Sequence, residues 1–137
     1  MITRQISVFL ENTSGRLADV TALLARGNIN LRAMSIADTT DFGILRMVAD
    51  KPEEAVRILK EAGFTAKVTE VIGVAVPDRP GALAEIAALF RDNQVGIEYL
   101  YASLDGQEMA VIILKVNHLE KGIELLKKNG FANAPKF

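Results

Sequence analysis

The residues whose types and spacing could do chemistry lie in two short stretches, Asn12-Thr13-Ser14-Gly15-Arg16-Leu17 and Asp78-Arg79-Pro80-Gly81-Ala82-Leu83, with Gly15 and Gly81 at an offset of 66. Each leads into an apolar stripe at helical spacing, Leu17, Val20, Leu23 and Leu24 in one and Leu83, Ile86, Leu89 and Phe90 in the other. A helix start leaves backbone N–H groups without intrahelical acceptors at the positive end of its dipole, which suits a small carboxylate. Glycine there permits close backbone approach, because a Cβ would obstruct a ligand. Asn12 could offer its amide oxygen to an ammonium group, and Asp78 could do so with a full charge. Together these groups suit a zwitterion. The competing reading is structural: Asn12, Ser14 and Asp78 cap a helix, and the glycines only turn the chain.

Other chemistry finds little support. The chain has no Cys and one His, His118, so it holds no disulfide framework, Fe–S cluster, thiolate zinc site or histidine-rich metal site, and no cofactor is implied. It has no Gly-x-Ser-x-Gly, no glycine-rich phosphate loop and no His-Glu-x-x-His. His118 reads as an exposed residue at a helix start, and Asp19, Glu61, Glu85 and Glu124 read as solvated helix faces. The chain is therefore read as non-enzymatic. Sixteen Lys and Arg against seventeen Asp and Glu give a net charge of −1, which attracts neither nucleic acid nor anionic lipid. No apolar run approaches the roughly 20 residues that span a bilayer, and the first residues lack a signal-peptide core, so the expectation is a cytoplasmic protein with no membrane partner.

The elements that position these stretches occur twice. Ile6-Ser7-Val8 lies over Ile72-Gly73-Val74, Gly15-Arg16-Leu17-Ala18 over Gly81-Ala82-Leu83-Ala84, and Gly63-Phe64 over Gly130-Phe131. The last match is shifted by one residue, an insertion expected in a hairpin loop, at Thr39-Thr40-Asp41 in one copy and Asp105-Gly106 in the other. Each half reads as strand, helix, strand, strand, helix, strand. Gly27-Asn28 closes the first helix as a left-handed cap. Asp50-Lys51-Pro52-Glu53 and Asn117-His118-Leu119-Glu120 read as capping-box starts of the second helices. Repetition of strand-helix-strand with right-handed crossovers predicts an α+β fold of two ferredoxin-like βαββαβ repeats, antiparallel sheets with helices on one face, over residues 1–70 and 71–137. The last strand of the second repeat is expected to be short or missing, because Pro135 cannot donate to a ladder.

The motif Asp78-Arg79-Pro80-Gly81-Ala82-Leu83-Ala84, followed by a helix and Gly96-Ile97-Glu98-Tyr99-Leu100-Tyr101, resembles the ACT domain, a small module that binds amino acids and regulates metabolic enzymes. Asn12-Thr13-Ser14-Gly15-Arg16-Leu17 with Asn28-Ile29-Asn30-Leu31 resembles it again. The resemblance implies a stand-alone tandem ACT protein whose ligand sits where two ACT domains meet, under the strand-to-helix loop of one and beside the second strand of its neighbour. In serine-responsive members an Asn three residues before the Gly and an Asn at the start of that second strand hold the amino acid, and Asn12 and Asn30 occupy those places. The second copy has Asp78 and Gly96 instead, so the two sites are unequal. Ser14 stands where the family's motif has Pro.

Tyr99 and Tyr101, two residues apart on a strand, share a face and suit a ligand pocket, a domain interface or plain sheet packing. The leading expectation is an amino-acid sensor without catalysis. The alternative is a regulatory subunit of a biosynthetic enzyme such as acetolactate synthase. Pairing of exposed sheet edges makes a homodimer the expected oligomer. RNA binding, which ferredoxin-like sheets also perform, lacks a basic rim and stacking aromatics beyond the two tyrosines.

Overall fold

Alternation of Ile6, Val8 and Leu10 with more polar neighbours makes β1 (Ile2–Glu11) a strand with one face for a core. In the computed structural model, which describes residues 1–11, 13–38, 41–104 and 108–135, it is followed by α1 (Arg16–Arg26), β2 (Leu31–Asp38), β3 (Phe42–Ala49), α2 (Pro52–Glu61) and β4 (Thr65–Pro77). The second copy continues with α3 (Ala82–Asp92), β5 (Ile97–Leu104), β6 (Met109–Val116), α4 (Leu119–Lys128) and β7 (Ala132–Asn133). The fold is α+β and consists of two ferredoxin-like repeats. Thr39, Thr40, Asp105 and Gly106, where the hairpin turns were expected, lie outside the described residues.

Two compact units form, Arg4–Thr69 and, separately, Met1–Thr3 with the chain from Glu70 onward. In the first, β3 pairs antiparallel with β1, from Ile6↔Met47 to Glu11↔Phe42, and with β2, from Leu31↔Ala49 to Asp38↔Gly43. In the second, β6 pairs with β4, from Ile72↔Leu114 to Pro77↔Met109, and with β5, from Ile97↔Val116 to Leu104↔Ala110. Both repeats carry a bulge early in the second strand, between Leu31 and Ala33 and between Ile97 and Tyr99.

Each unit has its own core between its helices and one sheet face. Ile6, Val8, Leu10, Leu45 and Met47 meet Val20 and Leu24 of α1 and Ala55 and Leu59 of α2. Ile72, Val74, Val76, Ile112 and Leu114 meet Ile86 and Phe90 of α3 and Leu126 of α4. Full burial of such a side chain stabilises by about 1.5–3 kcal/mol.

All four helices stop the same way. After α1 the Ile29 N–H donates to Leu24 O (2.9 Å) and the Asn28 N–H to Ala25 O (3.0 Å); Phe64 and Gly63, Val95 and Gln94, and Phe131 and Gly130 repeat the pair of bonds after the other helices. This is the Schellman arrangement, and its left-handed residue is Asn28 (φ 58), Gly63 (φ 90), Gln94 (φ 59) and Gly130 (φ 81) in turn. The sequence reading placed the left-handed cap on Gly27-Asn28 together. Asn28 alone takes that conformation, whereas Gly27 sits at φ −81. Gly27 serves packing instead, since a Cβ there would run into Ile58 Cδ1.

The second helices start differently from the capping boxes read in the sequence. Their N-caps are Lys51 and His118, with no side-chain cap bond. Asp50 Oδ1 instead accepts the Asn30 N–H (3.0 Å) while the Asp50 N–H donates to Asn30 O (3.1 Å), and Asn117 Oδ1 and N–H make the same exchange with Gly96 at 2.8 and 3.0 Å. These side chains tie the strand ends together.

Met1–Thr3 belong with the second unit for a local reason. Gly73 donates its N–H to Met1 O (2.8 Å) and accepts at its carbonyl from the Ala134 N–H (3.3 Å). A Cβ at Gly73 would strike Thr3 Oγ1 and lie 3.2 Å from Ala134 Cβ. Two residues of β7 pair with β4, at Val74↔Asn133 and Ala75↔Ala132.

Candidate functional site

The strand-to-helix stretches fold as type II turns because of their glycines. Position i+2 of such a turn needs a positive φ, which Gly supplies without steric cost, and Pro at i+1 presets the preceding angle. Thr13-Ser14-Gly15-Arg16 and Arg79-Pro80-Gly81-Ala82 both follow this scheme. Gly15 has φ 89 and ψ −7, Gly81 has φ 90 and ψ −12, and the closing bonds run from the Arg16 N–H to Thr13 O (3.4 Å) and from the Ala82 N–H to Arg79 O (3.3 Å). Ser14 in place of Pro leaves the turn type unchanged.

Those glycines are also the helix N-caps, and among the described residues no side chain caps either helix. Intrahelical bonding begins with the Asp19 N–H to Gly15 O (2.9 Å) and the Glu85 N–H to Gly81 O (3.0 Å). Apart from the Arg16 and Ala82 N–H groups that close the turns, the N–H groups of the first turn meet no side-chain cap among the described residues, the condition under which a helix start receives an anion. A Cβ on Gly15 would find nothing within 4 Å, and one on Gly81 only Arg79 Nη1 at 3.7 Å. Space over the turns is open, and positive φ is what demands glycine.

Side chains around the turns differ between copies. Arg16 stacks its guanidinium over the Phe64 ring, 5.7 Å from the centroid, and lies 3.6 Å from Glu11 and 3.8 Å from Asp19. Arg79 instead bonds Glu85 Oε1 at 2.7 Å and Pro80 O at 3.3 Å, latching the second turn to its own helix. Asp78 is exposed, and its N–H donates to Glu108 O (2.7 Å). Thr13, Ser14, Gly15, Leu17, Pro80, Gly81 and Leu83 are exposed, whereas Ala82 is 5% exposed and packs into the second core. Its side chain therefore faces the protein interior. Asn12 lies outside the described residues.

Asn30 is exposed but stands at the other end of the first unit. It precedes β2, which runs eight residues from Leu31 to Asp38, next to the strand end where Glu11 faces Phe42. At about 3.3 Å per residue this separates Asn30 from the Thr13–Arg16 turn by roughly 25 Å. A single small zwitterion cannot touch both within one unit. The backbone of Asn30 is already engaged by Asp50, so Asp50→Ala should lower stability by about 1 kcal/mol in urea unfolding while Asp50→Asn, which restores the acceptor used by Asn117, should retain most of it.

Tyr101 is 8% exposed, pairs with Ile113 on the sheet face away from α3 and α4, and lies two residues from the half-buried Tyr99. His118 is exposed at the start of α4. On α2 the Arg57 hydrogen bond holds the Glu54 carboxyl below the usual range, and Glu54 and Glu61 raise Arg57. Among the described residues no group of three or more His, Asp or Glu is placed to hold a metal ion, and no helix is long and apolar enough to cross a membrane.

Sequence reasoning missed Glu11, Phe9 and Phe42 as neighbours of the first turn. Glu11 abuts the quoted motif, but only strand register shows that Phe42 lies opposite it.

Comparison with solved structures finds a protein from Bacteroides thetaiotaomicron that is 40% identical, with a TM-score of 0.93, covering 98% of this chain and 92% of that one. The fold is shared with the regulatory subunit of aspartate kinase from Thermus thermophilus, in a ligand-free form (14% identity, TM-score 0.68, 95% and 97% covered). The Thermus flavus regulatory subunit is similar again (15%, 0.65, 93% and 94%). No curated protein matches the chain. The sequence pattern of the ACT domain pair matches residues 1–134, a span containing both glycine-capped turns, and the chain belongs to that family.

Proposed function

We propose that this protein is a non-catalytic regulator that binds a free amino acid at a junction of ACT units. The observation that carries the reading is the pair of type II turns whose glycine N-caps leave first-turn N–H groups without a side-chain cap. The carboxylate meets these N–H groups, and the Asn12 and Asn30 amides hold the ammonium end. Because Asn12 adjoins the turn and Asn30 lies a strand length away in the same unit, a site using both takes them from two copies of the chain. The working form is then a homodimer. Met34 and Ile36 on β2, 51% and 48% exposed, supply apolar surface for such pairing. Binding regulates by favouring one arrangement of the units, since equal affinity for both arrangements shifts nothing.

A thermal-shift screen of the twenty amino acids tests this directly. A ligand at 100 times its dissociation constant should add about 2.7 kcal/mol. Asn30→Ala should abolish that shift while leaving the unliganded melting temperature nearly unchanged, because its side chain is exposed. Absence of a shift with every amino acid overturns the proposal.

A second reading makes the chain a regulatory subunit of a biosynthetic enzyme, such as acetolactate synthase. The fold shared with aspartate kinase regulatory subunits supports it, and co-purification of a catalytic subunit from the native cell is its test.

A further inference from the structure

The first unit holds a cavity of about 270 Å3 whose walls include Phe9, Glu11, Arg16, Phe42, Gly63 and Phe64. Its make-up is unusual for plain surface. The pairs Glu11↔Phe42 and Phe9↔Ile44 put Phe9, Glu11 and Phe42 on one face of β1 and β3, where diagonal neighbours lie about 7–8 Å apart. Phe9 is 48% exposed and Phe42 50% exposed, so two phenyl rings stand half in water beside a guanidinium.

Arg16 is loosely ion-paired with Glu11 and Asp19. Its Cζ lies over the Phe64 ring, 5.7 Å from the centroid, while both carboxylates near it, at 3.6 and 3.8 Å, are beyond hydrogen-bond distance. Among the described residues it makes no side-chain hydrogen bond. A planar fork of donors in this state matches an incoming carboxylate in bidentate geometry. The rings of Phe9 and Phe42 then suit a flat apolar body, and the volume limits that body to about one ring, below the roughly 300 Å3 at which drug-sized pockets begin.

We infer that this cavity is a binding site for a small aromatic carboxylate, with Arg16 receiving the carboxylate and Phe9 and Phe42 flanking the ring. The site lies within one unit and uses side chains beside the first turn, whereas the amino-acid site above uses that turn's backbone N–H groups and Asn30. Glu11 stands where it can meet an ammonium group on the same ligand, and both amino and des-amino carboxylates fit the inference.

The test is an amide NMR titration of the full chain with L-phenylalanine and 3-phenylpropanoate, using phenethylamine and L-alanine as controls lacking the carboxylate or the ring. At least one aromatic carboxylate should give saturable shifts centred on the amides of Gly63 and Thr65, and the controls should not. Arg16→Gln should weaken binding by about ten- to a hundredfold, the worth of a hydrogen bond to a charged group. Phe9→Ala should weaken it by about three- to tenfold. Both side chains are substantially exposed, and the same spectra report whether each variant is folded. No saturable shift with either carboxylate, shifts centred elsewhere, or unchanged affinity in either variant overturns the inference. Asn30→Ala should leave this binding unaltered, which separates its failure from failure of the amino-acid reading.

Discussion

Truncation of Phe90 to alanine should destabilise the protein by about 3–5 kcal/mol, the range for emptying a large aromatic site. Phe90 is fully buried on α3 and joins Ile86 and Ala82 in the second core. The ring reaches α4, since its Cζ lies 3.6 Å from where a Cβ on the buried Gly122 would stand. Its carbonyl also accepts the Val95 N–H at 2.9 Å in the bond that ends α3. The lost ring therefore leaves a cavity between two helices and loosens the apolar contact across a helix stop. Urea unfolding followed by far-UV circular dichroism measures the loss. A cost below about 1 kcal/mol, closer to that of an ordinary surface substitution, would show that Phe90 is not a core residue.

Substitution at Gly81 should produce the next largest effect, and its ordering by residue type separates two causes. Backbone strain at φ 90 should make Gly81→Ala cost about 1–2 kcal/mol, and Gly81→Val more, although a Cβ would meet nothing closer than Arg79 Nη1 at 3.7 Å. Gly81→Asn should cost least, because Asn tolerates left-handed backbone. The same order should hold at Gly15, where a Cβ finds open space. If alanine were neutral at both positions, positive φ would not be the reason for glycine. A Gly15 variant that loses ligand must accordingly be compared with its own stability, since Gly15→Val strains the turn even where space allows it.

Much of the fold was legible because it rests on short-range chemistry. Alternation at Ile6, Val8 and Leu10, the stripe from Leu17 to Leu24, and the Pro80-Gly81 pair each report on residues a few positions apart. The doubled pattern extended those readings over nearly the whole chain. Helix starts were harder. Asp50 and Asn117 have the right types and spacing for capping boxes, yet each side chain found a backbone N–H about twenty residues earlier, at Asn30 and Gly96. Helix stops were read better, although Gly27 was credited with the angle that Asn28 adopts, because a glycine needed for close packing against Ile58 looks in sequence like one needed for a turn.

By itself the sequence determined the repeated elements, the two glycine turns and the absence of thiol chemistry, since turn angles, strand alternation and helix periodicity depend on near neighbours. Only the tertiary structure decided which side chains share a place. It put Arg16 on Phe64, Phe42 opposite Glu11 and Met1 on Gly73, and it set Asn30 a full strand length from the turn of its own unit. Such meetings follow from register and packing, in which residues dozens of positions apart become neighbours while residues closer in sequence become distant, and no local preference encodes them.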